Sequence, residues 1–399
     1  MNNNHSNKPY IMIVGETLGL GGAEKVTVDM ANALHKSGLY RVAIVTTLTS
    51  GGVFRERLQK DIPVLEVHEV ASADEMFNPA LIDEREKAFI ELVASERPDG
   101  LLLNNCRLAQ NCIGRILERH KPDCLSFFIH GFSRWSMDLL PDQLPEGAHV
   151  LTISKESAEG ILHQRPDIAR PSVGVLSNCI DTKRFAPLAK GDKPTVPAWD
   201  KDSGPIFGYA GRFSGEKGLI TMVDIFRRVK KRLPKARLLL VGGCDPGVPV
   251  HEAYWKAERS AVEQAIKQMG LLDSVQITGV VDKPEDYYHM MDVFLLTSHF
   301  EGVPLVILEA MACGLPVVAT AVGAIPRLLK NGCGAVVAKQ GLDLNDVERD
   351  YFVERMVEIS TSPELLKMGV MARNRIVRSF SMSRYEKSVL DYFLRRVKR

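Results

Sequence analysis

The stretch Ser298-His-Phe-Glu-Gly-Val-Pro-Leu-Val-Ile-Leu-Glu-Ala-Met-Ala-Cys-Gly314 decides how the rest of the chain is read. Just before it, residues 293–297 form a short apolar run that predicts a buried strand. Pro304 suits the first helical position, where its missing N–H has no acceptor to lose. Gly314 and Pro316 predict the helix stop. Two carboxylates, Glu301 and Glu309, stand eight residues apart, the first in the turn and the second in the helix. Because Glu301 precedes the helix, the pair need not diverge as two residues eight apart on one helix would. Between them the free N–H groups of Gly302, Val303 and Leu305 make a positive helix end suited to an anion. A nucleotide sugar fits such a site: one Glu for ribose hydroxyls, one for the sugar, and the helix end for the diphosphate. The plain alternative is two surface carboxylates flanking an ordinary strand-to-helix turn, and spacing alone leaves the two readings level.

The same alternation runs outward in both directions. Tyr10–Gly15 predicts a first buried strand, followed by Leu18-Gly-Leu-Gly-Gly-Ala-Glu24 and an amphipathic helix to about residue 37. The dinucleotide fingerprint wants a third glycine where Glu24 stands, so a nicotinamide or flavin site is not expected. Gly21 and Gly22 instead let the backbone approach a phosphate or sugar closely. Strands at 41–46, 64–67, 100–104, 124–130, 150–154 and 173–176 alternate with helices at 79–96, 108–120 and 155–163. Beyond residue 204, strands at 205–210, 237–242, 275–279, 316–320 and 334–337 alternate with further helices, the last at 382–396. This alternation predicts an α/β chain of parallel βαβ units. His130 closes an apolar run, Phe127-Phe-Ile-His-Gly131, at the strand end where open α/β sheets keep their sites. A lone histidine there is more often structural. Gly211-Arg-Phe-Ser-Gly-Glu-Lys-Gly218 places Arg212 and Lys217 five residues apart in a Gly-rich turn, where two cations can clamp a diphosphate. Its bland version is a solvated turn.

Composition bounds the answer. At 399 residues the chain suits two domains with substantial cores, and its 45% hydrophobic and 25% charged content are those of a soluble globular protein. A net charge of +2 gives no case for nucleic acid as a partner. Basic clusters at 227–237 and 395–399 leave room for a weak peripheral attraction to anionic lipid. The seven cysteines are scattered without a Cys-x-x-Cys pair, so they read as reduced thiols with neither a disulfide frame nor a zinc site. Residues 1–9 lack a signal-peptide core, and no run of about 18 apolar residues exists. A cytoplasmic protein is expected.

Several of these motifs together resemble the retaining glycosyltransferases of family 4, within the glycosyl transferases group 1. The Glu301-x7-Glu309 wording is similar to that family's signature, Gly211-Arg212…Lys217-Gly218 to its Gly-Arg…Lys-Gly motif, and Gly-Gly-x-Glu at 21–24 to its N-terminal loop. Ser177-Asn-Cys-Ile-Asp-Thr-Lys-Arg-Phe185 resembles its interdomain crossover, with Ser177 and Cys179 replacing the usual Pro and Gly. The likeness is densest over 208–323. It implies a GT-B architecture of two facing Rossmann-like domains with a cleft, here 1–185 for the acceptor and 186–380 for the nucleotide sugar, with residues 381–399 packing back on the first.

The resemblance also implies roles. His130 and Glu301 would be catalytic, while Gly22, Arg212, Lys217, Val281, Gly302, Val303, Leu305 and Glu309 would bind the donor. Val281 would do so through its backbone, against the base. No metal and no cofactor are expected beyond the nucleoside-diphosphate sugar as co-substrate, since the only Asp-x-Asp, at 200–202, reads as solvated linker charge. The implied activity is retaining transfer from a nucleotide sugar, with UDP favoured over GDP, to a glycan, lipid-linked or small hydroxyl acceptor. Synthesis of cell-envelope polysaccharide or glycoconjugate is the implied setting. A nucleotide-sugar 2-epimerase and a catalytically silent sugar-binding protein share the architecture. Free epimerised product without an acceptor would separate the first of these, and loss of a key residue the second.

Overall fold

The computed structural model describes residues 8–19, 21–48, 51–67, 70, 75, 78–131, 134–188, 194, 196, 199, 204–243 and 252–398. Contacts divide them into two compact units. One comprises residues up to Ser177 together with those from Ser383 onward, and the other runs from Asn178 to Met382.

The first unit is built on seven strands: β1 (Tyr10–Gly15), β2 (Arg41–Thr46), β3 (Val64–Glu66), β4 (Gly100–Asn104), β5 (Cys124–Ile129), β6 (His149–Thr152) and β7 (Val173–Val175). Every pairing is parallel, in the order β3-β2-β1-β4-β5-β6-β7. The sequence of β1, Tyr-Ile-Met-Ile-Val-Gly, is apolar throughout because helices cover both faces of such a sheet; all six residues are buried. Fully burying one such Ile or Val stabilises by roughly 1.5–3 kcal/mol.

The second unit repeats the plan with β8 (Ile206–Arg212), β9 (Arg237–Gly243), β10 (Val275–Ile277), β11 (Val293–Leu296), β12 (Val317–Thr320) and β13 (Gly334–Val337). Their order is β10-β9-β8-β11-β12-β13, again all parallel. The expected α/β class of two Rossmann-like parallel sheets is what forms. In each sheet the strand order reverses once, between β1 and β4 and between β8 and β11. Outside the carboxyl ends of those strands lies the crevice where open α/β sheets bind ligands.

Two details depart from expectation. β8 reaches Arg212, whose register partner is Gly243, so that cation closes a strand rather than sitting within a loop. The helix after β11 spans Leu305–Ala312, and Pro304 is its N-cap, with φ −67° and ψ 117°, not its first helical residue. The proline carbonyl already accepts from the amides of Ile307 (3.1 Å) and Leu308 (3.3 Å), so the helix is capped by backbone alone.

Residues 178–185 pack within the second unit. Ile180 N donates to the Phe380 carbonyl at 2.8 Å, and the Arg373 guanidinium donates to the carbonyls of Phe185, Thr182 and Ala312. The last helix, Met382–Leu394, serves the first unit instead. Its buried Phe393 meets Tyr40, the Tyr392 hydroxyl shares a 2.7 Å hydrogen bond with Ser126 of β5, and Glu386 pairs with Lys36. Six described cysteines are buried and free of disulfides. Among the described residues, no helix is long and apolar enough to cross a membrane.

Candidate active site

At the β8/β11 reversal two loops are stitched together. After β8 a 3-10 turn, Gly215–Lys217, leads to Gly218 and the helix Leu219–Arg232. Thr297, just past β11, donates from its hydroxyl to the carbonyls of Lys217 (3.1 Å) and Gly218 (2.9 Å), and His299 N donates to the Glu216 carbonyl at 2.7 Å. Gly218 has φ +62°, and a Cβ there would lie 2.5 Å from the Thr297 carbonyl, so only glycine lets the loops close. The result brings Lys217 Nζ to 2.8 Å from Glu301 Oε1, with 18% and 9% of the two side chains exposed. Ser298 Oγ donates to the same carboxylate oxygen at 2.7 Å. Two residues assigned to different parts of the donor are thus ion-paired with each other.

The Arg212 guanidinium differs. It lies 5.8 Å over the Trp255 ring and has no ion pair among the described residues. The amides of Gly302, Val303 and Leu305 likewise donate no hydrogen bond among the described residues. A cation and a row of amides therefore stand open where an anion can be met. The turn carrying them is held from behind. Gly323, at φ +52°, could not carry a Cβ, which would fall 2.0 Å from the Glu301 carbonyl. Ala324 N donates to the Gly302 carbonyl (2.9 Å), and the buried Asn178 donates from Nδ2 to the Val303 carbonyl (2.8 Å).

Glu309 does not meet Lys217. Its Oε2 accepts a 2.7 Å hydrogen bond from the hydroxyl of Tyr288, a ring wholly buried against Phe294 and Phe185. Burial, and then the Glu309 charge, push that phenol well above its ordinary pKa, so it stays a donor. Sequence reasoning missed Tyr288, because Tyr287-Tyr288 reads only as part of a short helix, here Pro284–Tyr288. Val281 lies half-buried in the loop after β10, two strands from β8. Beside the clamp, a cavity of about 520 Å³ borders Ser214, Gly218 and His299. Most of its charged residues are paired: Asp224 with Arg228 and Arg349, and Asp343 with Arg349, while the Thr221 hydroxyl donates to Asp343.

The first unit holds the other residues. Gly22 opens the helix Gly22–Lys36, with Gly21 as N-cap. His130 follows β5, stacked on Phe128 at 4.8 Å, and its Nε2 lies 2.7 Å from Asn104 Oδ1. Asn104, 3% exposed at the end of β4, donates in turn to the Ala23 carbonyl (2.9 Å) and to Thr27 Oγ1 (2.7 Å). Burial lowers the His130 pKa to about 4, so the ring is neutral at pH 7. A small cavity of about 60 Å³ at the β1/β4 reversal is lined by Glu16, Glu24, Thr27, Asn104 and Asn105. Burial pushes the Glu16 carboxyl up to about 7, opposed by the Arg107 amide and reinforced by the Glu24 charge. Neither Asn104 nor Glu16 carried a signal in the sequence beyond lying at a strand end. No cluster of three or more His, Cys, Asp or Glu suited to a metal exists among the described residues, and the Asp-x-Asp at 200–202 lies outside them.

Residues 204–359 match the family model described as glycosyl transferases group 1. Alpha-maltose-1-phosphate synthase of Mycolicibacterium smegmatis is 26% identical over 249 residues, covering 61% of this chain and 62% of the relative. The chain spans about half the length of the curated relatives it matches. Among solved structures, sucrose-phosphate synthase from Thermosynechococcus elongatus superposes with a TM-score of 0.76 at 20% identity, over 97% of this chain and 99% of its own. Anabaena Alr3699/HepE in complex with UDP-glucose also gives 0.76, at 17% identity, over 97% and 99%. At such identities these structures show a shared fold.

Proposed function

Because the chain belongs to the glycosyl transferases group 1 and has the GT-B fold, we propose that it is a retaining, metal-independent hexosyltransferase. It moves a sugar from a nucleoside-diphosphate sugar, UDP-linked in preference to GDP-linked, to a hydroxyl of a saccharide, lipid-linked or small acceptor. The observation that carries this reading is the set of groups at the β8/β11 reversal: the Arg212 guanidinium and the amides of Gly302, Val303 and Leu305, all unpaired among the described residues, and the Lys217–Glu301 pair. An arriving diphosphate competes with Glu301 for Lys217, and releases that carboxylate to accept sugar hydroxyls. Glu309, held by Tyr288, takes the ribose hydroxyls. The names of two similar proteins, one solved with UDP-glucose and one a UDP-Gal-dependent galactosyltransferase, support a UDP donor.

In the reaction the bond from the anomeric carbon to the phosphate oxygen breaks, and its electron pair stays on the diphosphate. Arg212, Lys217 and the helix amides stabilise that charge, a contribution of about 3–4 kcal/mol for a single preorganised donor. The acceptor oxygen bonds to the same face of the anomeric carbon, and its proton passes to the departing phosphate oxygen. His130, neutral at pH 7, orients the sugar and faces its cation-like state instead of acting as base. Thermal shift with UDP-, GDP- and ADP-sugars identifies the donor, since only a specific ligand raises the melting point by mass action. NMR of the product with that donor then tests transfer and retention. An inverted glycoside, or free epimerised sugar without an acceptor, would overturn the proposal.

A further inference from the structure

We propose that Asn104 is a positioning residue that fixes the ring proton of His130 on Nε2, leaving Nδ1 as a bare hydrogen-bond acceptor. The inference rests on the reading that His130 belongs to the reacting site, but the proton's location can be measured independently of that reading.

Donor and acceptor roles leave one assignment. The Ala23 carbonyl, 2.9 Å from the Asn104 side chain, can only accept. The amide nitrogen must therefore face it, and the same nitrogen donates to Thr27 Oγ1 at 2.7 Å, whose own hydroxyl proton is spent on the Ala23 carbonyl at 3.2 Å. With its nitrogen committed, Asn104 turns Oδ1 to the histidine, and an amide oxygen carries no proton. The ring nitrogen 2.7 Å away must donate, because two bare acceptors at that distance repel. Nε2 is thus protonated. Nδ1 makes no hydrogen bond among the described residues.

The ring cannot easily turn away from this arrangement. Phe128 stacks on it with planes 28° apart, and Asn104 and Thr27 are almost wholly buried. The titratable groups around Asn104 are the carboxyls of Glu16, after β1, and Glu24, in the first turn of the helix Gly22–Lys36; both line its small cavity. Cys106, after β4, bonds weakly to Thr47 and stays a thiol. Burial alone, with no charged partner, keeps the His130 ring neutral. The amide thus supplies what a carboxylate in its place would not. It directs the proton while leaving the imidazole uncharged.

Nitrogen-15 NMR of the full chain, labelled on its imidazoles, tests this. His130→Ala identifies the His130 signals by their loss. The wild type should show a protonated Nε2 and an unprotonated Nδ1 at pH 7, unchanged down to about pH 5. Asn104→Ala should give a mixture of both neutral forms and at least a tenfold loss of turnover at pH 7, with the pKa still depressed by burial. Asn104→Asp should keep the proton on Nε2 but raise the pKa through its charge, so that turnover is lost at neutral pH and recovered in alkali. A merely structural role would leave the Asn104→Ala ring protonated on Nε2 alone. A wild-type proton on Nδ1, or an Asn104→Ala ring that stays protonated on Nε2 alone, would overturn the assignment. Should Asn104→Ala not fold, the wild-type and Asn104→Asp spectra decide alone. Wild-type turnover in His130→Ala would end the positioning role, whatever the spectra show.

Discussion

The two sheet reversals are built alike in backbone and oppositely in chemistry. At β8/β11 the second unit gathers formal charges, with Lys217 on Glu301 and Arg212, at the end of β8, without an ion pair among the described residues. At β1/β4 the first unit runs neutral groups in a directed line beside Glu16 and Glu24, donating from His130 through Asn104 to Thr27. An ion pair can exchange partners, since either charge will accept a competitor of the same sign as the one it holds. A line of amide, hydroxyl and imidazole cannot, because each member is already committed as donor or acceptor. The first arrangement suits a diphosphate that must be gripped and let go. The second suits a ring that must keep one orientation and one protonation state.

The strongest way to break this contrast is at the charged end. Lys217→Ala should lower turnover by about 10²–10³, the usual effect of removing one preorganised donor. It also leaves Glu301, 9% exposed, with its charge uncompensated. The double variant Lys217→Ala with Glu301→Gln should lose much less than the two single-variant losses combined, because the pair acts as a unit. Steady-state kinetics at limiting donor checks both, and full additivity would dissolve the pair as a functional element.

The neutral end can be sharpened through pH. His130 has its pKa depressed from 6.5 to about 4, so the unfolded chain takes up its proton first, and this group's stability is lost as pH falls through that range. Glu16 is raised from 4.5 to about 7, so its contribution is present below 4.5 and lost as pH rises toward 7. The two slopes oppose each other between 4.5 and 6.5. Glu16→Gln should therefore gain stability over wild type above pH 7, up to roughly 3 kcal/mol, with the gain gone by pH 4.5. Urea midpoints across that range measure it, and a pH-independent difference would show that Glu16 is not held neutral.

A smaller effect belongs to Tyr288→Phe. Losing a hydrogen bond to a carboxylate costs about 1.5–3 kcal/mol, so the KM for donor should rise by an order of magnitude while the fold holds. A ribose-modified donor lacking both hydroxyls should register no such rise. The smallest expected effect is none at all: EDTA should leave transfer unchanged. Loss of activity restored by magnesium or manganese would mean that Arg212 and Lys217 do not suffice for the diphosphate.

Much of the second unit was legible because its chemistry lies in short local words. Arg212, Lys217 and Glu301 sit at strand ends where period and glycine content announce a turn, and Glu309 sits in the helix that follows. Their partnerships were not legible. The motif alone sets Glu301 beside a sugar, yet Lys217 reaches it from 84 residues away, and Tyr288 reaches Glu309 from a different helix. The fixed φ of Pro304 suits both the N-cap and the first helical position, and only ψ, set by the fold, distinguishes them. In the first unit His130 stood out at a strand end, but Asn104 did not. An asparagine closing a strand is unremarked until the fold brings Ala23, Thr27 and His130 around it.

The last helix, Met382–Leu394, has a consequence for how the protein is made. Phe393, Val389 and Tyr392 close the first unit, yet they leave the ribosome after the whole second unit has been synthesised. At ~5–20 residues per second, the first sheet waits at least ten seconds with the seat of Phe393 uncovered. The second unit, finished by Met382, has no such wait. The domain translated first is therefore the one completed last, and its exposed interval is where a holding chaperone would have most to do.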